Sequence, residues 1–171
     1  MQESLRSLRM ELRLAVFVGS LIFFSILEAW FPRRSRLLSR KDRWPVNLGL
    51  IILSSLLATA AFVSPLWLSH QVVGRGWGLL SYLNLDKLGT SICSFLILDF
   101  AIYWQHRIFH KVSWLWPLHR IHHTDLDLDA SSGLRFHPLE ILLSLVIKML
   151  IVVIFGLHPL GVLVFEIVLN A

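Results

Sequence analysis

Apolar residues in this sequence are gathered into long runs, and the length of those runs leaves few architectures open. Residues 14–31, 46–68 and 88–104 form three such runs, and a fourth, 141–169, is broken by Gly156-Leu157-His158-Pro159. A helix needs about 20 predominantly apolar residues to cross roughly 30 Å of hydrocarbon. In lipid every backbone N–H and C=O must be satisfied internally, so runs of this kind become helices. The chain is 56% hydrophobic, against about 45–50% for an ordinary soluble domain.

The expected fold is therefore all-α: an integral membrane helical bundle of three transmembrane helices plus a C-terminal helical hairpin or kinked helix. The whole chain, 1–171, reads as one membrane domain. Pro32 ends the first run and Pro65 is expected to end the second. The first run exceeds the 7–15 apolar residues typical of a signal peptide and lacks a small-x-small cleavage site, so it reads as a retained helix. Gly74-Arg75-Gly76-Trp77-Gly78 suits a loop at the membrane–water interface. Lys148, inside the last run, is expected to face protein or to reach an interface.

The net charge of +5 is not a nucleic-acid footprint. Six of the sixteen basic residues, Arg33, Arg34, Arg36, Arg40, Lys41 and Arg43, lie in one segment between two apolar runs. That distribution is a topology signal. It places residues 33–43 in the cytoplasm and the 69–87 loop on the other side. The third run then returns to the cytoplasm, where Arg107, Lys111, Arg120 and Arg135 cluster. Cys93 is the only cysteine, so there is no disulfide framework.

The third run leads into "HRIFHKVSWLWPLHRIHHT", residues 106–124, with five histidines. His106 and His110 are four apart, which puts both imidazoles on one helix face. His119, His122 and His123 repeat that spacing on an expected second short helix opened by Trp116-Pro117. Two histidine-bearing helices make a pocket suited to metal coordination. Asp99 and Tyr103 lie two turns before His106 and His110 and are candidates to support the ligands. His70 and His158 stand alone and read as ordinary polar residues. A zinc-protease H-E-x-x-H is absent. Asp125, Asp127 and Asp129 start like a calcium loop, but Ala130 and Phe136 occupy the positions of its glycine and glutamate. These aspartates are expected to form a solvated loop with helix caps.

"HRIFH" followed by "HRIHHT" resembles the first two histidine boxes, HxxxH and HxxHH, of the fatty acid hydroxylase and sterol desaturase superfamily. "RFHPLE" at 135–140 resembles the R-x-H-P-x-E signature that follows in many bacterial members, and "LDFAIYWQHR" resembles the approach to the first box. The resemblance is strongest from about residue 95 to 140. It implies a membrane oxygenase with a histidine-ligated di-iron centre that uses O₂ and a separate electron donor of reductase, cytochrome or ferredoxin type. The implied reaction is hydroxylation or desaturation of a lipid of fatty acid or sterol type. His106, His110, His119, His122 and His123 would be iron ligands, and His137 a ligand or a neighbour of one. Arg135 and Glu140 would hold the loop through an ion pair. The implied location is a bacterial inner membrane, or the endoplasmic reticulum in a eukaryote.

Family members continue into a further HxxHH box, whereas this sequence stops at "FEIVLNA". The expectation is an N-terminal portion, C-terminally truncated, with an incomplete di-iron centre. Two alternatives remain open from the residues: a membrane metal-binding or transport protein, and an inactive pseudoenzyme fragment.

Overall fold

The structure, a computed structural model, describes the backbone of residues 2–60 and 64–170, and side chains from residue 11 onward within those limits. The described residues form helices and turns without a strand. The long helices are α1 (Gln2–Trp30), α2 (Arg40–Ala60), α4 (Lys87–Lys111) and α6 (Pro138–Phe155); the shorter α3 (Pro65–Gly74) and α5 (Trp116–His119) lie between them, and α7 (Pro159–Asn170) follows α6. Four stretches are long and apolar enough to cross a membrane: Glu11–Trp30, Arg40–Tyr82, Lys87–Lys111 and Pro138–Phe155. The expectation of a helical membrane bundle holds. On α1 and α2, Ile22, Phe23, Ile52 and Leu56 are exposed, as befits surfaces whose solvent is lipid.

One boundary differs from expectation. The second run is two helices. Pro65 opens α3: Ser64 adopts an extended conformation and its hydroxyl accepts from Trp67 N–H. A proline in the first turn gives up an N–H that has no helical partner anyway, so one residue ends a run and starts a helix. The fourth run divides where expected, at Gly156, whose φ of 69° ends α6 in the left-handed conformation. Gly156 lies against Gly78 of the loop, and a Cβ there would stand 2.2 Å from Trp77 O.

Packing explains why the bundle holds. α4 and α7 cross closely because Gly161 lies against Ser91 and Ser94, where an added Cβ would stand 2.3 Å from Ser91 O. Small residues that let helix backbones approach are the usual device of membrane interfaces. Leu98, Val152, Leu157, Val162 and Phe165 form the apolar core around this crossing. Arg13 of α1 pairs with Glu166 of α7 at 3.1 Å, and Lys148 of α6 interacts with the same carboxylate. Lys148 thus faces protein.

The bundle has two distinct ends. At one, the 33–43 segment meets residues 125–135: Asp127 accepts from the N–H groups of Leu37 and Leu38 at 2.9 and 2.7 Å. At the other, the loop after α3 meets the turn between α6 and α7.

Candidate metal centre

The histidine site is assembled by a chain reversal after α4. Leu98, Gln105 and Phe109 form the buried face of α4, and His106 and His110 follow 105 and 109 on the adjoining exposed face. The helix stops when Val112 turns extended, with φ −91° and ψ 116°. A turn closed by Leu115 N–H to Val112 O brings in α5, with Pro117 in its first turn. His119 is thereby packed into the bundle, 1% exposed, with its ring 5.7 Å from that of Phe109.

Four imidazoles then converge. The Nε2 atoms of His106 and His110 are 3.1 Å apart, those of His110 and His119 3.2 Å, and those of His119 and His123 3.2 Å. One ring nitrogen from each of the four lies within 4.8 Å of the others. The other nitrogen of His119, Nδ1, is 2.7 Å from Oε1 of the buried Glu140. Glu140 Oε1 accepts a hydrogen bond from Nδ1–H, which leaves the Nε2 lone pair aimed at the neighbouring rings, an arrangement typical of ligating histidines. Burial, and then the nearby His110 and His123, push the His119 pKa down to about 4, so the ring is neutral at neutral pH. That Nε2 lone pair faces ring nitrogens of the three other histidines across a gap that a single cation can bridge. The donor set therefore fits a metal ion, and imidazole nitrogen suits iron, zinc, copper or nickel.

The remaining candidates occupy other positions. The helix α5 is a single turn, and His122 begins a separate 3-10 turn, His122–Thr124. Its ring stacks on Phe136 at 4.5 Å and 10° instead of joining the four. His137 caps α6: its Nδ1 accepts from Leu139 N–H at 3.1 Å. Asp99 is exposed on α4 and makes no hydrogen bond or ion pair among the described residues. Tyr103 accepts from Arg107 at 3.0 Å on the outer surface.

The Arg135–Glu140 ion pair does not form. Arg135 instead donates to Asn47 Oδ1 at 3.3 Å and lies 3.9 Å from Asp125. Glu140, at the first turn of α6, points the other way, into the histidines. The expectation of a solvated aspartate loop is corrected as well. The carboxylates of Asp125 and Asp129 are 1% exposed, and Arg43, 3% exposed, pairs with both. Asp129 also caps the 3-10 turn Ala130–Leu134. Burial opposes ionisation of Asp129, but hydrogen bonds from Ser131, Trp44 and Arg43 outweigh it and hold the carboxyl below its ordinary range. Asn47 completes the network, with Nδ2 3.1 Å from Asp125 and 2.9 Å from Ser131. Local spacing gave no hint of Arg43 or Asn47, which lie 78–88 residues from their partners.

Residues 91–171 match the model of the fatty acid hydroxylase family. That match and the relatives that follow support the fatty acid hydroxylase and sterol desaturase superfamily for this chain. Among similar proteins is alkylglycerol monooxygenase of Homo sapiens, 32% identical over 79 residues, 46% of this chain and 16% of that protein. Methylsterol monooxygenase 2-2 of Arabidopsis thaliana is 32% identical over 133 residues, 72% of this chain and 50% of the relative. A putative Delta(7)-sterol-C5(6)-desaturase 2 of the same plant is 29% identical over 100 residues, covering 53% and 36%. The chain spans half or less of the length of each of these relatives. No solved structure matches it.

Proposed function

We propose that the chain carries part of the iron centre of a membrane oxygenase that hydroxylates or desaturates a lipid with O₂. The observation that supports this most directly is the convergence of His106, His110, His119 and His123 beside a buried carboxylate, at the end of apolar helices. These four residues would hold one iron. Iron with O₂ supplies the oxidising power that an unactivated C–H bond demands and that side chains lack. The protein's part is placement. Glu140 fixes the tautomer of His119, and the Trp116 ring, 5.3 Å from His110 and 5.9 Å from His123, covers the ligands on one side. In this reading His122 and His137 support the site through Phe136 and through the cap of α6. A second iron of a di-iron centre would need further ligands.

The relatives' names speak of alkylglycerol, methylsterol and sterol, so the substrate proposed is a lipid of ether, fatty acid or sterol type. Electrons would come from a separate reductase, cytochrome or ferredoxin-type donor. The site would face the cytoplasm, in a bacterial inner membrane or the endoplasmic reticulum.

The deciding measurement is metal content of the detergent-solubilised chain, offered iron and zinc in competition. The expected result is bound iron in the wild type and its loss in His119→Ala/His123→Ala. Retention of metal by that variant would remove these histidines from the site. Zinc bound to the exclusion of iron would overturn the oxygenase reading in favour of metal storage.

A further inference from the structure

Residues 125–129, Asp-Leu-Asp-Leu-Asp, are turned the wrong way round for a loop in water. The carboxylates of Asp125 and Asp129 are buried against Arg43, and that of Asp127 accepts from the N–H groups of Leu37 and Leu38. The alternating leucines are left outside: Leu126 is 68% exposed and Leu128 87%. A loop in water does the opposite, because burying a carboxylate costs free energy and exposing a leucine forfeits what its burial would gain. The bonds to Asp127 carry Leu37, itself exposed, to the same loop. Arg36 donates to Glu28 O at 3.4 Å and so keeps that segment near the end of α1, where Trp30 and Phe31 are exposed as well.

Single exposed leucines need no explanation, but Leu37, Leu126 and Leu128 stand on two segments that are bonded together, and they form a patch. The charge beside it is of one sign. Arg33, Arg34 and Arg36 are exposed in the same segment, and no Asp or Glu occurs between residues 29 and 41. The segment also begins where the membrane-crossing stretch Glu11–Trp30 ends, and a tryptophan there suits the membrane–water boundary. Apolar side chains beside arginines at that level match the headgroup layer of an anionic leaflet, which takes up both. We propose that residues 33–38 and 126–128 are a docking surface for an anionic leaflet. Leu37, Leu126 and Leu128 enter the acyl boundary, and Arg33, Arg34 and Arg36 meet the lipid phosphates. Leu126 follows His123 by three residues, so the histidine end of the bundle is seated in the leaflet rather than raised above it. None of this depends on a metal at the histidines.

The test uses a nitrobenzoxadiazole label on Leu128→Cys, and separately on Leu37→Cys, in a Cys93→Ser background. The chain is placed in nanodiscs of phosphatidylcholine and phosphatidylglycerol, which leave both faces open to solution. Both labelled positions are exposed, so the variants are expected to fold, which circular dichroism verifies. Nitroxide-bearing lipid should quench both labels, and aqueous iodide should not. Nitroxide carried on phosphatidylglycerol should act with about fivefold higher apparent affinity than on phosphatidylcholine. Arg33→Gln/Arg34→Gln/Arg36→Gln should bring the two lipids level. Quenching by iodide would put the patch in water and overturn the proposal. Quenching by neither agent would show that protein covers the patch, and would overturn it equally. Lipid quenching with no preference for phosphatidylglycerol, or with a preference untouched by the triple variant, would overturn the part given to the arginines and the anionic lipid.

Discussion

His122 shows how much one residue's direction matters. It is adjacent to His123, and neighbours on a helical turn point about 100° apart. Only one of the pair can share the direction of His119, and His123, four residues on, takes it. His122 is left stacked against Phe136. Its pKa is pushed down to about 4, chiefly by burial and then by His123, His119 and His106. The consequence for stability has a definite sign. The unfolded ring takes a proton at about 6.5, whereas the folded ring of His122, like that of His119, takes one only near 4. Stability is therefore intact above pH 6.5 and is lost as pH falls toward 4. The melting temperature of the metal-stripped chain should drop through that window. His122→Phe keeps the aromatic stack and removes one titrating group, so it should flatten the drop. An unchanged pH slope would show that His122 is not held neutral in the folded protein.

At the level of elements, the 33–43 segment and the 125–135 loop were each legible in the sequence, but their union was not. A run of basic residues reads as a topology signal, and three alternating aspartates read as a solvated loop, because hydropathy and spacing see only local neighbours. The structure makes them one buried network through Arg43, Asp125 and Asp129. The loop so fixed begins directly after the second histidine box and leads to Glu140, so the network lies between the two groups that meet at His119. The histidine positions themselves were legible, since i, i+4 spacing survives the change from α5 to a 3-10 turn. The role of Glu140 was only half legible: its residue type marked it, but its partner depended on how α6 docks. Arg43→Met would leave two buried carboxylates without their guanidinium, and removing one partner of a buried pair costs about 3–5 kcal/mol. Unfolding of the detergent-solubilised variant should show a loss of that order. Replacing Asp125 and Asp129 by Asn in the same background should recover part of it. A loss below about 1 kcal/mol would be that of a surface pair and would contradict the burial seen.

The whole molecule adds a constraint that no single element carries. Apolar runs announce helices, but they do not say which loops share an end. Here the basic segment is bonded to the loop after the histidines, while Gly78, in the loop after α3, lies against Gly156 at the opposite end. Positive charge on two segments thus counts as one signal at one face. The positive-inside tendency then predicts that this face is cytoplasmic. The expectation can be tested with single cysteines in a Cys93→Ser background, placed at Arg34, Ser113 and Ser81, all exposed positions. A membrane-impermeant maleimide should label Ser81→Cys from outside intact cells, and Arg34→Cys and Ser113→Cys only after the membrane is opened. If Ser81→Cys and Ser113→Cys label from the same side, α4 does not cross and the two-ended bundle is wrong. If Arg34→Cys and Ser113→Cys both label from outside while Ser81→Cys is protected, the bundle stands with its histidines turned outward. The electron donor would then have to be sought on that side.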